Sequence, residues 1–312
     1  MSSTLLGRLL VDGLYLGTIA HLPPARPIAR AIAQVGTFAL SRRHRTTLVR
    51  NAGLALGPNA TESAKRRCAF RMVGYAQRAI GDIVSAQGTD PADIRRMVAQ
   101  LEGATEYLAA RQMRKGIMLA SVHMGSFETA LAILRILEPK VHVLYHPDPM
   151  PRFERARSAL HARLGVIEHR VSDGVAAWGA ILDALKADEA VVMHADRTMP
   201  GQQGIRLPFL GLPNAELPPG PLRLAAAAGS PIVPTFCGWG PKGMHVWCDQ
   251  CIEVPSARLT AADVAAHPAQ RQLVASMERA IRRYPDQWLA FGDLGVDPSR
   301  ETPAAPDAEG AR

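Results

Sequence analysis

The stretch Ser121-Val-His-Met-Gly-Ser-Phe-Glu-Thr129 places one imidazole, His123, five residues before one carboxylate, Glu128. A carboxylate against one ring nitrogen of a histidine fixes the tautomer. The other nitrogen can then take a proton from an incoming hydroxyl, as a general base does. The spacing alone carries little. With 10 His and 28 Asp plus Glu in 312 residues, chance supplies about one such pair, and the chain has one.

The surrounding elements give the pair its meaning. Ile117-Met-Leu-Ala-Ser-Val122 is an uninterrupted apolar run and reads as a buried strand. Gly125 and Ser126 form a turn, and Ser126 suits the N-cap of a helix beginning at Phe127. On one continuous helix, residues five apart point about 140° from each other. His123 and Glu128 can therefore meet only if the histidine precedes the helix and the chain turns between them. Open α/β sheets place ligand sites at the carboxyl ends of their strands, where His123 falls. On position alone, a general base and a histidine that merely packs at a strand end are equal readings.

From about residue 100 onward, apolar bursts alternate with helical patterns. Strands are expected at 116–122, 141–145, 165–167, 190–194, 231–236 and 245–254. Helices are expected at 151–164, 173–187, 220–228 and 263–284. This alternation predicts an α/β fold: a single domain with a mainly parallel sheet flanked by helices. Before it, patterns at 3–20, 27–40 and 61–86 predict an N-terminal helical region. The expected organisation is one domain over 1–297, with a basic helical region at 1–90 and an α/β core at 100–292. A disordered Pro-, Ala- and Asp-rich tail is expected over 298–312.

Charge is distributed unevenly. Residues 1–80 carry 12 Lys plus Arg against Asp12 and Glu62, whereas the remainder carries 24 against 26. The basic excess points to an anionic docking surface such as a membrane, an acidic protein or nucleic acid. No nucleic-acid-binding motif accompanies it, so nucleic acid is not expected as a partner. Helix 3–20 carries Arg8, Asp12 and Tyr15 on one narrow stripe, which argues against a helix crossing a membrane and suits one lying at its interface or packed on the body of the protein. The block Arg42-Arg43-His44-Arg45 adds to that expectation. Four cysteines in a chain of this length do not make a disulfide framework.

Three motif-like segments lack their context. Gly238-Trp-Gly-Pro-Lys-Gly243 matches a dinucleotide fingerprint, but strand residues follow it in place of a helix, so it reads as a hairpin turn. Trp247-Cys-Asp-Gln-Cys251 resembles a redox motif but sits in strand periodicity, not at a helix start. Cys237, His245, Cys248 and Cys251 supply only one of the two paired knuckles a structural zinc site usually brings. No metal and no cofactor are expected. Neither a G-x-S-x-G elbow nor a Walker loop is present.

His123-Met-Gly-Ser-Phe-Glu128 resembles the H-x-x-x-x-D/E block of glycerolipid-type acyltransferases. It is closer still to the H-x-G-x-W-E form of the bacterial lipid A biosynthesis (lauroyl/myristoyl) acyltransferase family. Further blocks follow in that family's order. They are His194 through Pro213, Pro219 through Pro234 and Tyr284-Pro-Asp-Gln-Trp-Leu289, with Arg45 to Asn51 similar to its N-terminal region. The resemblance implies an O-acyltransferase on the cytoplasmic face of the inner membrane. Such an enzyme moves a fatty acyl chain from an acyl carrier protein or coenzyme A thioester to a hydroxyl of a glycolipid. It implies His123 as base and Glu128 as its orienting partner. It also implies Asp196 and Arg197 in acceptor binding, with Arg155 and Arg163 as further anion contacts. The physical logic agrees: attack on a thioester requires an aligned, deprotonated hydroxyl and oxyanion donors, and no metal. The chain departs from the family at Ser126-Phe127, where Asn-Trp is usual, and at Arg197, where Gln is usual. A different lipid or secondary-metabolite acceptor, a thioester hydrolase and a non-catalytic anionic-membrane-binding protein are the alternative readings.

Overall fold

The computed structural model describes residues 23–40, 42–86, 89–148, 150–198, 202–292 and 294. The expected helix at 3–20 and the tail after 297 lie outside the described residues. Three helices come first: α1 (Arg26–Leu40), α2 (Arg42–Leu56) and α3 (Glu62–Ala86). The core then runs α4 (Pro91–Arg96), β1 (Val98–Glu102), α5 (Ala104–Gln112), β2 (Ile117–Ser121), α6 (Phe127–Leu137), β3 (Val141–Tyr145), α7 (Pro151–Leu164), β4 (Val166–Arg170), α8 (Val175–Lys186) and β5 (Ala190–His194). The hairpin β6 (Ile205–Phe209) and β7 (Leu212–Leu217) follows. After it come α9 (Gly220–Ala228), β8 (Ile232–Gly240), β9 (Gly243–Cys248), α10 (Ala261–Ala266) and α11 (Pro268–Arg283).

Seven strands form one sheet in the order β1-β9-β8-β2-β5-β3-β4, and only the β8–β9 pair is antiparallel. The α/β expectation holds. Every residue of β2 is buried, because the strand is covered on both faces. Met118 and Ala120 pack into one hydrophobic core, and the alternate residues Ile117 and Leu119 pack into the other. The register pairs Ser121 of β2 with His194 of β5, so the two strands end side by side. The chain emerging from each strand therefore leaves from the same edge.

Several elements differ from the sequence reading. β1 and the β6–β7 hairpin were not anticipated, and neither was the helical state of residues 42–56. The strand expected over 245–254 ends at Cys248, and only Ile252 returns to pair with Ile232. The helix expected over 263–284 is two helices. His267 is extended ahead of Pro268, which lacks an N–H and disfavours helical backbone in its predecessor. Gly238 to Gly243 lie at the β8–β9 hairpin, where Gly240 pairs with Gly243.

Among the described residues, no helix is long and apolar enough to cross a membrane. α1 and α2 pack on α3. α1 directs Gln34 inward, where Nε2 donates to the Phe70 carbonyl oxygen. Its opposite face leaves Ile28, Ile32 and Val35 55–67% exposed, an apolar stripe at helical spacing.

Candidate active site

His123 leaves the carboxyl end of β2 on a short loop held from below. Gly125 has φ +59°, and a Cβ there would lie 2.6 Å from the Cys237 carbonyl oxygen, so only glycine fits without a backbone shift. The segment Gln287–Leu289 fastens the loop. The Leu289 N–H donates to the His123 carbonyl oxygen at 2.7 Å, and the Gly125 N–H to that of Gln287 at 3.2 Å. Ser126 occupies the N-cap position of α6, but its side chain does not cap the helix. Its hydroxyl donates to Asp82 instead and accepts from the Trp239 indole N–H at 3.0 Å.

The carboxylate on His123 is Asp196, not Glu128. Nδ1 of His123 lies 2.7 Å from Asp196 Oδ1. The His123 backbone N–H also donates to that oxygen, at 3.3 Å. The Trp288 indole N–H holds the other oxygen at 3.0 Å. Asp196 sits two residues beyond the end of β5, beside the loop from β2, which is why the two meet. Burial opposes ionisation of Asp196, but the positive ends of His123 and Arg197 and the hydrogen bonds outweigh it. The carboxyl is held well below the usual carboxylate range. An ionised Asp196 can only accept, so the proton of neutral His123 rests on Nδ1 and its Nε2 carries the lone pair. Burial, reinforced by Arg197, lowers the His123 pKa against the opposing pull of Asp196. The imidazole is therefore neutral near pH 7.

Glu128 faces away, towards α7. It hydrogen-bonds His161 Nε2, whose Nδ1 lies 2.6 Å from Glu168 Oε1. Arg157 completes the group, with contacts of 2.9 Å to Glu154 and 3.2 Å to Glu168 and its guanidinium 3.8 Å from the Tyr145 ring centroid. Burial opposes the charge on His161, but Glu128 and Glu168 raise its pKa to about 9, so it is an imidazolium at neutral pH. The predicted contact between His123 and Glu128 is thus replaced by two separate pairs. Arg155 and Arg163 do not reach this site either. Both are exposed on the outer side of α7, and Arg163 donates to the Thr89 carbonyl oxygen. The inward face of the same helix carries Arg157 and His161, which the sequence reading passed over; both are buried, unlike Arg155 and Arg163. Arg197 lines the site and donates to the Leu289 carbonyl oxygen at 2.7 Å.

A cavity of about 430 Å³ opens around His123. Its lining is largely apolar, including Leu101, Leu131, Leu134, Phe153, Trp178 and Val246. The polar groups among it include Tyr145, Asp148, Arg157, His161, Arg197 and Gln202. Neither the fingerprint-like glycines nor the Cys-x-x-Cys pair adds a second centre. Cys248 ends a strand, and burial pushes its thiol up to about 11, which keeps it protonated.

The site is thus a neutral, carboxylate-bound imidazole in a largely apolar cavity at the carboxyl end of a mainly parallel sheet. The family described as bacterial lipid A biosynthesis acyltransferase matches residues 9–293, and the chain belongs to this family. It is an acyltransferase by family, and the expected resemblance is met. The search of curated proteins returned no match.

Proposed function

We propose that the protein moves a fatty acyl chain from a thioester, carried by acyl carrier protein or coenzyme A, to a hydroxyl of a lipid A-type acceptor at the inner-membrane surface. The observation that carries the reading is the neutral His123, with Nδ1 committed to Asp196 and Nε2 without a hydrogen-bond partner among the described residues in the cavity wall. The largely apolar lining suits the acyl chain, and the polar groups within it suit the acceptor headgroup. In the reaction, His123 Nε2 takes the acceptor's hydroxyl proton while the oxygen attacks the thioester carbonyl. The tetrahedral oxyanion collapses, the C–S bond breaks, and the thiolate receives the proton back from His123. Asp196 orients the ring and stabilises the imidazolium as it forms. Glu128 is a positioning residue that holds His161 and, through Glu168, Arg157 at the cavity wall. Arg157 and Arg197 are the guanidinium groups placed to meet an anionic substrate group.

The exposed Ile28, Ile32 and Val35 of α1, in the basic first quarter of the chain, suit peripheral docking on an anionic bilayer. The test of the chemistry is His123→Ala assayed with an acyl thioester and a lipid A-type acceptor. The expected loss is at least about 10²-fold, as for removal of a general base. An unchanged rate overturns the reading, and acyl release that ignores the acceptor reassigns the protein as a hydrolase.

A further inference from the structure

A second imidazole lies in the same site with no role in that scheme. His194, the last residue of β5, stacks on His123 with ring centroids 3.9 Å apart and planes 19° apart. Phe127 packs beside the stack, steeply inclined to both rings, 4.4 Å from His194 and 5.7 Å from His123. His194 lines the cavity, yet neither ring nitrogen is hydrogen-bonded within the described residues, and Nε2 is buried from solvent. Unpaired ring nitrogens on a residue that lines a cavity point to a ligand that pairs with the imidazole. The stacked ring also cannot hold charge readily. Burial and the adjacent His123 press its pKa well below the ordinary value, with only Asp196 opposing. A neutral imidazole keeps one N–H to donate and is no competitor for the proton that His123 must accept.

The group that reaches this position in the proposed reaction is the thioester carbonyl. Its acyl chain lies against the apolar lining, and its carbonyl carbon stands against the hydroxyl held by His123. We propose that His194 donates its N–H to that carbonyl oxygen and stabilises the oxyanion as the O–C bond forms. The proton stays on His194 throughout. The transferred proton moves only between the hydroxyl, His123 and the leaving thiolate. This assignment rests on the reading of His123 as the base.

His194→Phe preserves the ring packing and removes the N–H, and His194→Gln preserves a donor. With lauroyl-coenzyme A and a lipid A-type acceptor, H194F is expected to lower kcat about 10²- to 10³-fold, the usual effect of removing one oxyanion donor. KM should change little, and the acid limb of the pH profile should stay in place. H194Q should recover at least about tenfold of the loss. Should H194F fail to fold, as judged by circular dichroism, H194A assayed with and without free imidazole replaces it, with rescue expected. A wild-type kcat in H194F, a loss expressed as a shifted acid limb, or no recovery by glutamine or imidazole overturns the assignment. An unimpaired His123→Ala removes the reading of His123 and this inference together. An impaired His123→Ala beside an unimpaired H194F removes this inference alone.

Discussion

At the scale of the residue, the two carboxylates that flank the histidine in sequence and in space do different work. Asp196 touches His123, while Glu128 touches His161. Asp196→Asn is therefore expected to cut acyl transfer about 10³-fold by losing the tautomer and the imidazolium's counter-charge, and also to lower the unfolding midpoint, since one of the N–H groups that the buried carboxylate accepts from loses its acceptor. Glu128→Gln is expected to destabilise the fold by about 3 kcal/mol, because it leaves a buried charge short of a partner. It should leave the acid limb of the rate profile unmoved. Parallel pH–rate profiles and urea titrations of the two variants check the contrast, and a shifted acid limb in E128Q alone would sink it. The acid limb of the unaltered enzyme should lie below pH 6.5, since burial and Arg197 lower the His123 pKa more than Asp196 raises it.

At the scale of the element, the loop that carries His123 depends on what lies beneath it. The segment Tyr284-Pro-Asp-Gln-Trp-Leu289 acts as a clamp. Gln287 bridges the Trp239 backbone, with its oxygen 2.6 Å from the N–H and its amide 2.8 Å from the carbonyl oxygen, and Trp288 holds Asp196. Asn51 of α2 reaches the residue that follows this segment, donating to the Ala290 carbonyl oxygen at 2.8 Å. The family blocks near residues 45–51 and 284–289 are thus legible as structural: they fix the loop that carries His123. α1 makes a different contribution. Substituting Ile28, Ile32 and Val35 together with Asn should lower binding to anionic phosphatidylglycerol vesicles at least about tenfold, given the apolar area withdrawn. Transfer to a detergent-dispersed acceptor should be unaffected. Vesicle sedimentation distinguishes the outcomes, and unchanged binding would remove α1 from the docking surface.

At the scale of the whole molecule, the Glu128–His161–Glu168 chain ties α6, α7 and β4 together across one face of the sheet. His161 titrates at about 9 in the folded protein against 6.5 ordinarily. A raised folded pKa means that this stabilisation is complete below about pH 6.5 and is lost as pH rises through 9. The contribution is roughly 3 kcal/mol. Wild-type protein should therefore exceed His161→Gln in unfolding free energy at pH 6, and the gap should narrow at pH 10. A gap that does not change with pH would show that His161 contributes by packing alone.

The sequence by itself determined the alternation of strands and helices, the position of His123 at a strand end and the turn at Gly125. Each of these is a local property of period, propensity or backbone freedom. It also carried the ordered family blocks. The partner of His123 was not legible, because Glu128 is near it in the chain and Asp196 is 73 positions away. Choosing between them required the adjacency of β2 and β5, a matter of strand order that no local pattern encodes. Once those strands pair with Ser121 opposite His194, the residues two beyond each end become neighbours. The same pairing stacks His194 on His123. Likewise the arginines of α7 were visible, but which side of the helix faced the cavity was not. Arg157 and His161 share the buried face with Ala156, Leu160 and Leu164, while Arg155 and Arg163 face outward. The identity of the chemical groups was written in the chain, and their pairing was decided by the sheet that brings distant strand ends together.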